Sequence, residues 1–244
     1  MTYCLGILLP EGLVLASDSR TNAGVDQIAL VRKLATFKAP GERMIALLSA
    51  GNLATTQAVV TLLRQASGSG DAERDLMSAE TLFDAVTMVG ETYRAVLAQD
   101  QDAVRPYGDA TGSFLIAGQI KGERPRLFQM YPAGNFIEAT PRTQFLQIGE
   151  TKYGKPILDR ALNFNSTMGN AAKLALISFD ATIRSNLSVG PPIDLLCYKK
   201  DSFTTDGLRK YSGNDEAWES IREAYSSGLM KVLDSIPNPE TGVG

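Results

Sequence analysis

The chain reads as an α+β protein: a four-layer αββα sandwich in which two sheets form the centre and helices cover both outer faces. Two observations predict this. Runs with strand character come first, then two helical stretches, more strands, two further helices and strand again, an order that fits two packed sheets with a helical layer on each side. The N-terminal strands are also apolar at nearly every position, as expected of strands covered on both faces. With 244 residues and 44% hydrophobic side chains the chain can bury a full core. One domain is expected over residues 1–236, followed by a flexible tail, 237–244, where Pro237-Asn238-Pro239 and Gly242 interrupt any apolar period.

Residues 3–9 and 13–18 are two apolar runs joined by Pro10-Glu11-Gly12, read as a three-residue hairpin loop. That loop places Leu9 opposite Leu13, Cys4 opposite Asp18, and Thr2 and Asp18 on one face as diagonal neighbours about 7–8 Å apart. Residues 34–38 and 43–49 form the next pair across Pro40-Gly41-Glu42, and Ala50-Gly51-Asn52 leads into a helix over 53–65. The polar connector Ser67-Gly68-Ser69-Gly70-Asp71 precedes a longer helix at about 79–104, ended by Pro106-Tyr107-Gly108. A meander follows near 113–120, 126–131, 135–139 and 144–148, then helices at 154–162 and 170–187, and an apolar strand at 193–198. A last helix near 214–234 carries Trp218, Ile221, Tyr225, Leu229 and Val232 as one apolar stripe that should dock.

Composition removes several function classes. The chain has no histidine, which excludes Ser-His-Asp and Cys-His enzymes and imidazole-based metal sites. No cofactor or metal is predicted. A net charge of −3 with no basic run argues against a nucleic-acid partner. The apolar stretch Leu5–Leu9 is cut by Pro10-Glu11 and has no basic region before it, so neither a signal peptide nor a membrane span is expected, and the predicted location is cytoplasmic. Cys4 and Cys197 lie in apolar runs and read as small buried side chains.

The chemistry begins at Met1-Thr2. Removal of the initiator methionine, usual before a residue as small as Thr, leaves one residue with both a hydroxyl nucleophile and a free α-amine. An unperturbed α-amine titrates at roughly 7.7–8.0, which leaves a useful unprotonated fraction near neutral pH. Asp18, in Ser17-Asp18-Ser19-Arg20, and Lys33 are candidate tuning charges. Gly51 sits between a strand and a helix N-terminus, where a backbone N–H can meet an oxyanion. The bland alternatives are a hairpin-end carboxylate for Asp18, a solvated strand end for Lys33 and an ordinary N-cap turn at Gly51-Asn52.

In this order the residues resemble a proteasome β-subunit. The matching segments are Thr2, Gly12 to Arg20, Lys33, Ala50-Gly51, Arg105-Pro106-Tyr107-Gly108 leading to Leu115-Ile116-Ala117-Gly118, Leu127 to Gly134, Ile148-Gly149 and Arg184 to Gly190. Within that superfamily the chain is similar to the bacterial ancestral-β-subunit group, Anbu. The resemblance implies an N-terminal nucleophile hydrolase fold, Thr2 as nucleophile, Asp18 and Lys33 as its charged partners and Gly51 as oxyanion donor. It further implies Asn22 as a binder of substrate backbone, Ser49 as a lining residue of the specificity pocket, Ser188 as a support of the amine, and assembly into a ring or spiral homo-oligomer. The substrates implied are peptides or related amides; an unfoldase partner is a family habit for which no docking feature is visible.

Three positions depart from the family pattern. The interval from Asp18 to Lys33 is one residue short. Arg184-Ser185 stands where Arg-Asp is usual, leaving Ser185 only a weak support role. Gly149-Glu150-Thr151 replaces Gly-Ser-Gly, with Glu150 read as a loop carboxylate. Loss of a carboxylate beside the amine is expected to alter its basicity. The rival readings are a weakly active or inactive assembly on the same fold and a small-molecule amidase or transamidase.

Overall fold

The computed structural model describes residues 1–22, 28–71 and 73–239. The chain runs β1 (Tyr3–Leu9), β2 (Gly12–Asp18), β3 (Arg20–Asn22), β4 (Ile28–Leu30), β5 (Leu34–Ala39), β6 (Arg43–Gly51), α1 (Leu53–Ala66) and α2 (Leu82–Val104). It continues β7 (Gly112–Ile120), β8 (Arg126–Met130), β9 (Phe136–Glu138), β10 (Phe145–Gly149), α3 (Lys155–Ala161), α4 (Met168–Ser185), β11 (Ile193–Lys199), β12 (Leu208–Tyr211) and α5 (Glu216–Ser235). One five-stranded sheet has the order β10-β1-β2-β11-β12, the other β5-β6-β7-β8-β9, and β3-β4 form a separate ribbon.

Three hydrophobic cores between four layers follow from the two-residue period of the strands. On β2, Leu13 and Leu15 face the core between the sheets, whereas Val14 and Ala16 face α3 and α4. On β6, Met44, Ala46 and Leu48 face the inter-sheet core, whereas Ile45 and Leu47 pack under α1 and α2. The αββα sandwich read from the pattern is therefore the observed architecture.

The helices start at their caps. Asn52 Oδ1 accepts the Thr55 N–H at 3.2 Å. Thr81 and Asp84 form a reciprocal capping box, which starts α2 at Leu82 rather than near residue 79. Thr167 and Asp215 accept from Asn170 and Trp218 and so set the starts of α4 and α5.

Three sequence expectations are corrected. Leu9 pairs with Gly12 and Cys4 with Ser17, so the first hairpin turns on Pro10-Glu11 alone, with Gly12 already inside β2. The one-residue slip carries Tyr3 opposite Asp18 and puts Thr2 and Asp18 on opposite faces of the pleat. The fourth strand of the expected meander, β10, leaves its neighbours and pairs with β1 in the other sheet. Leu146 and Ile148 face the inter-sheet core from there, and their alternation is the same whichever sheet receives them. Finally, only the start of α5 docks: Trp218 is 1% exposed and Ile221 packs beside it, whereas Leu229 and Val232 are 50% and 55% exposed. Pro237 to Pro239 are exposed and without regular structure, and 240–244 lie outside the described residues. No helix among the described residues is long and apolar enough to cross a membrane.

Candidate active site

Thr2 lies at the start of β1, held between two strands. Its carbonyl accepts the Glu150 N–H at 2.7 Å. Gly149, with φ +82°, brings the backbone so close that a Cβ there would collide with the Thr2 carbonyl oxygen, so this approach requires glycine. Tyr3 anchors the segment from below. Its hydroxyl is 2.7 Å from Ser178 Oγ on α4 and accepts from Gln147 Nε2 at 2.6 Å. Burial pushes the Tyr3 phenol up to about 12, which keeps its proton in place.

Asp18, at the end of β2, curls its carboxylate around the strand end. Oδ1 accepts both the Tyr3 N–H at 3.0 Å and the Lys33 ammonium at 2.7 Å, and Oδ2 faces the Gly190 N–H at 3.4 Å. Lys33 also donates to the Arg20 carbonyl. The Asp18 side chain is 0% and that of Lys33 5% exposed, so the solvated strand end is overturned in favour of a buried ion pair. Burial pushes the Asp18 carboxyl up from its usual range, while the Lys33 charge and the amides of Tyr3 and Gly190 pull it back. One carboxylate oxygen thus ties the amide that follows Thr2 to the lysine ammonium.

Gly51 closes β6 with φ +104°, and a Cβ there would lie 2.6 Å from the Thr111 carbonyl and 2.7 Å from Gly112 Cα. Alternate N–H groups on a strand point the same way. Since the Ser49 N–H donates to the Lys33 carbonyl at 3.1 Å, the Gly51 N–H is directed to that same side, past Leu34 where β5 begins. On the other edge the Thr111 carbonyl accepts the Asn52 N–H at 2.9 Å, and the Gly112 N–H goes to the Tyr93 hydroxyl.

A cleft of about 400 Å³ opens between the start of β5 and α1, lined among others by Lys33, Leu34, Ser49, Leu53, Val60 and Arg64. Ser49 therefore shares a cavity with Lys33. Asn22 lies in β3 opposite Ile28, and its side chain is outside the described residues. Ser188 is half-buried, and its N–H donates to Asn186 Oδ1 at 3.0 Å. Ser185 ends α4 exposed to solvent. Sequence reading does not anticipate Gly190, whose contact depends on β11 lying beside β2, or Asn186, whose amide donates to Glu150 at 3.0 Å. Cys4 accords with its sequence reading: it is wholly buried, its Sγ rests 3.6 Å from the Ser49 carbonyl, and burial pushes its thiol far up, away from nucleophilic use. No group of three or more Cys, Asp or Glu side chains suited to a metal ion occurs among the described residues.

The chain has counterparts among known proteins in sequence and in fold. The family model for the proteasome subunit matches residues 2–196. Among solved structures, the ancestral β-subunit Anbu from Yersinia bercovieri is 45% identical with a TM-score of 0.91, covering 98% of this chain and 100% of that one. The helical assembly of the Anbu complex from Pseudomonas aeruginosa is 48% identical with a TM-score of 0.94, covering 99% and 100%. Proteasome subunit beta 1 from Thermococcus sibiricus is 25% identical over 233 residues, 95% of this chain and 96% of the relative. With a family model spanning most of its length and full-length likeness to Anbu structures, the chain belongs to the proteasome subunit family and carries the N-terminal nucleophile hydrolase fold of the ancestral β-subunit group.

Proposed function

We propose that the protein is a threonine-type N-terminal nucleophile hydrolase of peptide or related amide bonds, working in the cytoplasm as a homo-oligomer once Met1 has been removed. The observation that carries this is the single Asp18 oxygen shared by the Tyr3 amide and the Lys33 ammonium, which brings a buried cation to the residue next to Thr2.

Thr2 Oγ attacks the substrate carbonyl carbon, and the α-amine, directly or through a water, takes the hydroxyl proton. The carbonyl oxygen becomes an oxyanion facing the Gly51 N–H, a donor type worth about 2.7–4 kcal/mol of barrier. The intermediate collapses to an ester on Thr2 as the ammonium returns its proton to the leaving amine. Water then attacks the ester with the same amine as base and restores the hydroxyl. Lys33 favours the neutral amine and the developing negative charge on Thr2 oxygen, and Asp18 holds Lys33 in place. Asn22 and Ser49 are assigned to substrate backbone and side chain, with Ser188 supporting the amine end and Ser185 a lesser contributor.

The test is intact mass of the purified chain combined with a threonine-directed electrophile such as a β-lactone or epoxyketone. The expected result is loss of Met1 and one adduct on Thr2, absent in Thr2→Ala. A retained Met1, or no adduct, supports a non-catalytic assembly instead. Cleavage of short amides but not of unfolded polypeptides supports a small-molecule amidase. Self-association into a ring or spiral is supported by the helical assembly of the Pseudomonas aeruginosa Anbu. In sedimentation it should give species far heavier than the 26.3 kDa chain.

A further inference from the structure

We propose that Glu150 is a positioning residue for the Thr2 α-amine, its carboxylate set to orient that amine and to hold it when it carries a proton; this rests on the reading of Thr2 as the nucleophile. The geometry starts from the pairing of β1 with β10. Tyr3 stands opposite Gly149, so Glu150 stands opposite Thr2, and the Glu150 N–H donates to the Thr2 carbonyl at 2.7 Å. Hydrogen-bonded opposed residues of antiparallel strands lie with Cα atoms about 5.5 Å apart, and Gly149, with φ +82°, ends the regular pleat just before Glu150, so the backbone bond to Thr2 is what fixes its place. In extended backbone the N–H and C=O of one residue point to the same edge. The Thr2 nitrogen is therefore directed toward Glu150, whereas the next nitrogen, that of Tyr3, points the other way, to Asp18. The Tyr3 nitrogen thus meets the Asp18 carboxylate, while the Thr2 nitrogen is turned to the edge that carries Glu150.

Glu150 has the environment of a group awaiting a cation. It is 7% exposed. Its Oε2 accepts from Asn186 Nδ2 at 3.0 Å and its Oε1 from the Lys152 N–H at 3.4 Å, both neutral donors. The orientation of Asn186 follows from its other end, because Oδ1 accepts the Ser188 N–H and so turns the amide NH₂ toward the carboxylate. Among the described residues no Lys or Arg forms an ion pair with Glu150, and a buried carboxylate without a cation is costly. Removal of Met1 creates an ammonium on the residue directly across the strand pair.

The charged groups around the amine are then Glu150 after β10, the exposed Lys152 two residues on, and, across β1, the Asp18–Lys33 pair; Arg20 is turned to the Leu187 carbonyl. Lys33 favours the neutral amine, and Glu150 favours the ammonium that exists after the hydroxyl proton has been taken. The pair sets the amine between the pH at which it acts as base and the stage at which it must keep a proton for the leaving group.

The experiment uses the full chain released from a cleavable N-terminal fusion so that Thr2 is the first residue, with intact mass verifying it, as wild type, Glu150→Gln and Glu150→Asp. Brief exposure to an amine acylating reagent from about pH 5 to about pH 10 is followed by mass analysis of the N-terminal peptide, which yields the midpoint of Thr2 amine titration. The expected result is a midpoint lowered by about one unit in Glu150→Gln, a tenfold gain in reactive amine at pH values below it, with a smaller fall in Glu150→Asp, whose shorter side chain keeps the charge. Any activity limb that rises with pH should move to lower pH by the same amount. An unchanged midpoint in folded Glu150→Gln overturns the proposal and leaves the residue as a tie to Asn186. If Glu150→Gln does not fold, an unchanged midpoint in Glu150→Asp overturns it equally. Because the titration needs no turnover, a wild type that titrates as expected but takes up no β-lactone would sink the nucleophile reading while leaving the Glu150–amine contact standing.

Discussion

At the scale of single residues, the Asp18–Lys33 pair is the strongest commitment in the molecule. Both charges are withdrawn from water, and removal of one leaves the other buried without compensation. Lys33→Met is expected to destabilise the fold by about 3–5 kcal/mol in urea unfolding, and adding Asp18→Asn should restore most of that loss while activity stays absent. The pH response of Lys33→Met has a definite sign. Burial, opposed then only by the Tyr3 and Gly190 amides, raises the Asp18 carboxyl above its unfolded value of about 3.9, so the folded state binds a proton first. Its stability should increase as the pH falls from neutral through the raised folded value, whereas the wild type, with Lys33 opposing that rise, should gain less. Equal pH slopes in the two proteins would show that the ammonium has little hold on Asp18.

At the scale of elements, two junctions do the positioning. The β6–α1 junction turns at Gly51, where positive φ and the Thr111 carbonyl leave no room for a methyl group. Gly51→Ala is expected to cost about 1–3 kcal/mol and to lower turnover about 100-fold or more by displacing the N–H. Wild-type turnover at undiminished stability would remove Gly51 from the oxyanion role. The β8–β9 pairing is clamped by Arg126, whose Nε and Nη2 donate to the two oxygens of Glu138 at 2.8 Å each. The guanidinium holds the Glu138 carboxyl below its usual range. That contribution is complete above the unfolded pKa of about 4.3 and is lost as the pH falls through the depressed folded value. Both side chains remain partly exposed, so screening keeps the pair to about 1 kcal/mol or less. Glu138→Gln should reduce the acid-limb slope of stability without changing stability at neutral pH by more than that amount.

At the scale of the whole molecule, α5 is anchored at one end only. Trp218 fills the core against α4, with Arg222 stacked over its ring, while Leu229, Met230, Val232, Leu233 and Ile236 lie in solvent. These later residues bury little in the single chain. The double substitution Leu229→Asp, Leu233→Asp should leave the unfolding midpoint of dilute, unassociated protein unchanged within about 0.5 kcal/mol, whereas Trp218→Ala should cost about 3–5 kcal/mol. A large loss in the double variant would mean that the exposed half of α5 is held by the fold.

Local rules determined much of this protein. Apolar strand runs, helix periodicity and the absence of histidine suffice for a layered fold, for the order of the main elements without the short strands β3, β4 and β12, and for the exclusion of imidazole chemistry, because these depend on neighbours within a few residues. The threonine, aspartate, lysine and glycine candidates were legible through the ordered motifs of a family resemblance, as was Ser49 beside the cleft. Tertiary structure alone decided the rest. A two-residue turn instead of three reversed which face of β1 meets Asp18, the transfer of β10 to the other sheet brought Glu150 opposite Thr2, and the seating of β11 beside β2 brought Gly190 to Asp18. Such choices are invisible in sequence because an apolar strand alternates identically in either sheet and in either register; only packing against partners far along the chain separates the alternatives.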